Sequence, residues 1–208
     1  FPDPIRFDDA EEADFEMPAI LIDQLVHLTG KVLFSGASKS RKTWAMLHLL
    51  IAIQSGSDWL GFKTRRTGAL VVDLELFRPA VFNRIKRIAT AAGIWDLSNL
   101  HVQSLRGHQV GLERLRTDLV RFCKKNSIGV IGIDPVYRIN SGEENSNDEI
   151  RDFLQMVEEV AHETGAAIVL THHFAKGNAA AKSSIDRASG AGVWARDPDC
   201  LISMTEAD

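Results

Sequence analysis

The chain has 208 residues, 45% of them hydrophobic, with 24 Lys and Arg against 28 Asp and Glu and a formal charge of -4. That much apolar material fits one domain with one buried core, and the acidic balance excludes a protein that wraps nucleic acid in an overall positive field. No apolar run reaches the length of a membrane span and no basic, apolar leader opens the chain, so no membrane partner is expected and a cytoplasmic location is, with Cys123 and Cys200 as reduced, buried thiols.

The acid is unevenly placed. Residues 1 to 23 hold eight carboxylates, Asp3, Asp8, Asp9, Glu11, Glu12, Asp14, Glu16 and Asp23, against Arg6 alone, and the remainder is slightly basic. With three prolines and no period, residues 1–19 are expected to form an extended lead-in, and residues 20–208 the domain itself. Because the chain opens on Phe1, a longer parent protein is expected. Basic runs at Lys63 to Arg66, Arg84 to Arg87 and Arg121 to Lys125 read mostly as solvated faces.

Ile20 to Val26 is expected to form a short helix before the turn at Thr29-Gly30. The apolar run Lys31-Val32-Leu33-Phe34 predicts a strand, and Trp44 to Ser55, apolar nearly all round, a helix that ends at Gly56. Between them stands Gly36-Ala37-Ser38-Lys39-Ser40-Arg41-Lys42-Thr43. A loop that cradles phosphates needs Gly at the turn, converging backbone N–H groups, a Lys for the β- and γ-phosphates and a hydroxyl for Mg²⁺. Gly36, Lys42 and Thr43 supply these parts, whereas Arg41 stands where the pattern has a second Gly.

Further strands are predicted at Ala69 to Glu75, Leu100 to Ser104, Ile128 to Pro135, Ala166 to His173 and Cys200 to Met204. Helices are predicted at Pro79 to Ala92, Leu112 to Lys125 and Asn145 to Thr164. The alternation predicts a three-layer α/β fold with a mostly parallel central sheet, in which every strand ends at one rim. That rim collects the Gly36 to Thr43 loop, Asp73 with Glu75, Asp134, and His172 with His173. A carboxylate ending a strand also serves as an ordinary cap or turn former, and paired His often as structural hydrogen-bonding groups.

Together the groups suit phosphoanhydride hydrolysis, with Lys42 and Mg²⁺ neutralising phosphate charge while a carboxylate orients water. Thr43 and Asp134 are the metal candidates, Asp134 because its strand is expected beside the loop strand. Glu75 is preferred over Asp73 for the water because it lies nearer the rim.

These segments, with Thr171-His172-His173-Phe174-Ala175-Lys176-Gly177 and the run from Asp186 to Asp199, resemble the RecA-like P-loop ATPases. Within them the resemblance is to the branch that contains the hexameric replicative helicase RepA and related ATPases of phages and mobile elements, and it covers about Ile20 to Met204. It implies an ATP- and Mg²⁺-dependent motor in which Glu75 positions the water, Asp134 is the Walker B carboxylate and the polar residue after the next strand, His172 in preference to His173, senses the γ-phosphate. It further implies a ring, with Arg187 or Arg196 entering a neighbour's site, and single-stranded DNA held by loops such as Glu143-Glu144 and Phe174 to Ser189. The family continues for further strands past the point where this chain stops at Asp208. Arg41 keeps open a nucleotide-binding regulator or assembly protein with little turnover.

Overall fold

A computed structural model describes residues 3–11, 15–108, 110–135, 147–173 and 193–205. Two short strands, β1 (Ile20–Ile22) and β2 (Val26–His27), precede β3 (Lys31–Gly36) and the helix α1 (Lys42–Ser55). Then come β4 (Gly68–Asp73), α2 (Arg78–Ala92), β5 (Leu100–Ser104), α3 (Leu112–Asn126), β6 (Ile128–Asp134), α4 (Asn147–Thr164), β7 (Ala167–His173), α5 (Val193–Arg196) and β8 (Cys200–Met204). Six strands form one sheet in the order β5-β4-β6-β7-β3-β8, every neighbouring pair parallel. This is the α/β architecture of a RecA-like P-loop domain.

Strand residues alternate between two cores, because successive side chains leave a strand on opposite faces. Val32, Phe34, Val71, Val130 and Val169 pack with Met46, Leu50 and Ile53 of α1 and Val81 and Ile85 of α2. Leu33, Leu70, Ile131, Ile133 and Leu170 pack on the other side with Leu119 of α3 and Phe153 and Val157 of α4. Coverage on both faces explains why the central strands read as unbroken apolar runs.

The structure corrects three expectations. Ile20 to Val26 is a small antiparallel hairpin, not a helix: Gln24 takes a positive φ of 60°, and Leu25 donates to the Ile22 carbonyl. Extended backbone there also finds partners, Asp23 N–H donating to Lys63 O and Arg65 N–H to Leu21 O, while Leu21, Ile22 and Val26 stay buried. The second correction concerns β6, which does not lie beside β3, since β7 stands between them. The chain leaves β3 through α1 and enters the sheet three positions away at β4, leaving a gap that β6 and β7 later fill. Third, Cys200 is half-buried whereas Cys123 is fully buried, and both are free thiols.

α1 spans the gap, touching β3, β4, β6 and β7. Gly132 lets it lie directly on β6, because a Cβ there would meet Leu50 Cδ1 at 2.6 Å and Met46 Sδ at 3.0 Å. The start of α1 is thereby carried over the end of β6. Among the described residues no helix is long and apolar enough to cross a membrane.

Candidate active site

The site begins where β3 ends. Its last residue, Gly36, has no room for a side chain: a Cβ would stand 2.6 Å from Ser40 Oγ and 2.9 Å from Met204 O. The loop then turns back, Ser40 N–H donating to Ala37 O, with Lys39 at φ 64° and Arg41 at φ 66°. Left-handed residues in a short loop curl the backbone so that successive N–H groups converge on an anion. Arg41 therefore occupies a backbone conformation suited to the expected Gly, which a side chain adopts at a cost of about 1 kcal/mol. Arg41→Gly is expected to raise stability by about that amount in urea unfolding; an unchanged or lower stability would show that the Arg41 side chain contributes contacts of its own.

α1 starts at Lys42 with no side-chain cap, so its first-turn N–H groups and the positive end of its dipole face the loop. Lys42 is buried and folded over the loop, its Nζ donating to Gly36 O at 3.0 Å, Ala37 O at 2.7 Å and Ser40 Oγ at 3.3 Å. Burial pulls this ammonium below the usual Lys range, while the carboxylates of Asp134 and Glu75 pull the other way. Ala37, Ser38, Lys39 and Arg41 are exposed along the loop, and Ser40 is half-buried.

Asp134 ends β6 and is only 5% exposed. It accepts from Thr43 Oγ1 at 2.6 Å and from Thr171 Oγ1. Burial raises its pKa above the usual carboxylate range, the two hydroxyls oppose that rise, the Glu75 charge adds to it and Arg84 acts against it. Its contact with Thr43 thus bridges the strand between, β7, which itself supplies Thr171. Asp134 and Pro135 are joined by a cis peptide bond.

β4 ends at Asp73, two residues sooner than the sequence reading has it, and Glu75 lies in the bend beyond, half-buried. Asp73 is buried, and its Oδ1 accepts the backbone N–H groups of Glu75 at 3.2 Å and Leu76 at 2.7 Å. It is the turn former that fixes where Glu75 sits. Burial pushes Asp73 up to about 6, its two N–H donors hold it down, and the nearby Asp134 and Glu75 charges add to the rise. The folded value thus exceeds the ordinary value of about 4, so Asp73 favours the folded state below about pH 4 and this contribution is lost as pH rises through about 6. Asp73→Asn keeps the acceptor and removes the titration. Melting temperature between pH 4 and 7 is expected to fall less steeply in the variant than in the wild type; parallel profiles would mean Asp73 does not titrate there.

Thr171 and His172 are consecutive, so they leave β7 on opposite faces. Thr171 meets Asp134 on the α1 side, whereas His172 stacks on Trp194 of α5 at 4.8 Å in the α3/α4 layer. His172 is thereby not brought among Lys42, Thr43 and Asp134, although its backbone pairs with Ser35 of the loop strand. The His173 backbone pairs with Gly36. Arg196 is exposed at the end of α5. Arg187, Glu143, Glu144 and the loop Phe174 to Ser189 lie outside the described residues.

The sequence reading overlooks Thr171 and Arg84. The first stands directly before the paired His and gives no signal of its own. The second lies in a basic run and is tied to the site only by its position on α2, where its guanidinium sits 5.4 Å from the ring centre of Trp44, the residue after Thr43.

Glycine turn, helix start, buried Lys and a hydroxyl bonded to a strand-end Asp define a P-loop ATPase site. A family model described as AAA domain matches residues 2–179, and the chain belongs to this family of P-loop AAA/RecA-like ATPases. Comparison with curated proteins gives no match. The residues present fit the nucleotide and Mg²⁺ that such proteins use. Thr43 Oγ1 donates its proton to Asp134 and so keeps lone pairs for a hard cation, and the uncapped first turn of α1 offers N–H groups to phosphate.

Proposed function

We propose that this chain is an ATP-hydrolysing RecA-like motor domain of the RepA-type branch, acting on single-stranded DNA in replication or recombination of a phage or mobile element. The observation that carries the catalytic half is the hydrogen-bonded row Thr43–Asp134–Thr171 at the mouth of the Gly36 to Thr43 loop, with Lys42 and Glu75 in electrostatic reach. In this reading the loop N–H groups and Lys42 hold the β- and γ-phosphates, and Thr43 and Asp134 hold Mg²⁺. Bound Mg²⁺ supplies charge neutralisation between those phosphates. Glu75 orients the attacking water and accepts its proton. His172 or His173 reports the γ-phosphate to the rest of the sheet, and Arg187 or Arg196 completes a neighbour's site in a ring.

Steady-state hydrolysis with Mg²⁺, with and without single-stranded DNA, tests the proposal, with sedimentation for the ring. Turnover that rises with DNA in a nucleotide-dependent ring supports it. Tight nucleotide binding without turnover, in a chain that stays monomeric or dimeric, supports instead a regulator that uses ATP as a conformational ligand, the reading that the strained Arg41 favours.

A further inference from the structure

Between Leu76 and Leu112 the chain carries five bases, Arg78, Arg84, Lys86, Arg87 and Arg106, against a single acid, Asp96. In a protein of charge -4 this local excess is large. α2 has no acidic residue and packs on α1, and Arg106, just past the end of the edge strand β5, reaches Phe77 at the start of α2. Four guanidiniums there lie over aromatic rings. Arg106 stands 3.5 Å from the ring centre of Phe77, Arg78 5.4 Å from that of Phe82, and Arg84 and Arg87 5.4 and 5.6 Å from that of Trp44. Among the described residues none of the five bases forms a salt bridge.

Phe77 and Phe82 are 64% and 45% exposed. A guanidinium stacked on a ring keeps its N–H edge directed outward, and an exposed ring offers π-surface to a planar group. Unpaired cations beside open aromatic faces are the chemistry that tracks a phosphate backbone while stacking its bases. An acidic peptide would use the charges but not the rings.

We infer that the α2 face and the adjoining end of β5, centred on Phe77, Arg78, Phe82 and Arg106, form a binding surface for single-stranded nucleic acid, apart from the loop Phe174 to Ser189. The inference rests on the proposed action on single-stranded DNA and adds where the strand docks.

The test is fluorescence anisotropy of a labelled oligo(dT) over a range of salt, with thermal melting of each variant. The pair Arg78→Ala with Arg106→Ala is expected to weaken binding about tenfold or more and to flatten the salt dependence, by about 0.7 in log–log slope per lost contact. Phe77→Ala is expected to weaken binding about tenfold with the slope unchanged. The pair Arg78→Lys with Arg106→Lys should retain the wild-type slope. Wild-type affinity in all the alanine variants overturns the surface. So does a changed sedimentation with unchanged DNA affinity, which would make this face a contact between copies. Loss of binding only in Lys176→Ala or Lys182→Ala overturns the surface and leaves the reading of function standing. A wild-type chain that binds no oligo(dT) overturns both.

Discussion

Lys42→Ala is expected to abolish ATP binding at micromolar nucleotide. The Lys42 ammonium is held over the loop by three acceptors, Gly36 O, Ala37 O and Ser40 Oγ, and is nearly inaccessible to solvent. Among the described residues it is the cation folded inside the curl of the loop, and burial keeps it poorly solvated, so an incoming phosphate meets a charge that water does not satisfy. Charge-assisted hydrogen bonds contribute about 1.5–3 kcal/mol each, and loss of two of them lowers affinity by about 10²–10⁴-fold. Removal of the side chain also frees two carbonyls that it now bridges, and the loop loses its internal staple. Calorimetric titration with ATP measures the effect, with urea unfolding to separate loss of the site from loss of the fold. Binding within threefold of the wild type would mean that the nucleotide sits elsewhere.

The loop was readable because its surroundings are chemically opposite to it: an apolar strand before, an apolar helix after, and Gly, Lys and Thr at fixed spacing between. The four central strands were readable for a related reason, since burial on both faces gives apolar runs such as Ile128 to Ile133, whereas the half-buried edge strands β5 and β8 carry a weaker signal. Strand order was not readable. Nothing local to Asp134 tells that β7 will intervene before β3, since that depends on where a crossover lands and on Gly132 admitting α1 against β6. The same gap hid Thr171, whose role follows only from its being placed next to Asp134. The His pair reads as one feature of the rim, but consecutive residues leave a strand on opposite faces, and His172 goes with Trp194. The hairpin at Ile20 was misread because seven apolar-rich residues fit either period, and the decision came from backbone partners at Lys63 and Arg65, some forty residues on. Glu75 was preferred over Asp73 only for lying nearer the rim. Burial and hydrogen bonding make them different.

That difference fixes the second large expectation: Glu75→Gln retains ATP affinity and lowers turnover by about 10²–10⁴-fold. Asp73 already spends one carboxylate oxygen on two backbone N–H groups and is 1% exposed, so it holds the bend and has no reach into the crevice. Glu75, held by that bend, is the half-buried carboxylate whose charge is felt at both Lys42 and Asp134. Asp134 is engaged by two hydroxyls, which leaves Glu75 as the acid best placed to take a proton from water. Gln has the same shape but cannot accept that proton, so binding and chemistry should separate in the variant. Asp73→Asn, by contrast, keeps the acceptor for both N–H groups and should keep turnover within about threefold. Phosphate-release kinetics under saturating ATP decide between the two carboxylates. If Asp73→Asn is the inactive variant and Glu75→Gln turns over normally, the proton goes to the buried acid, and the bend that it holds is part of the chemistry and not only its support.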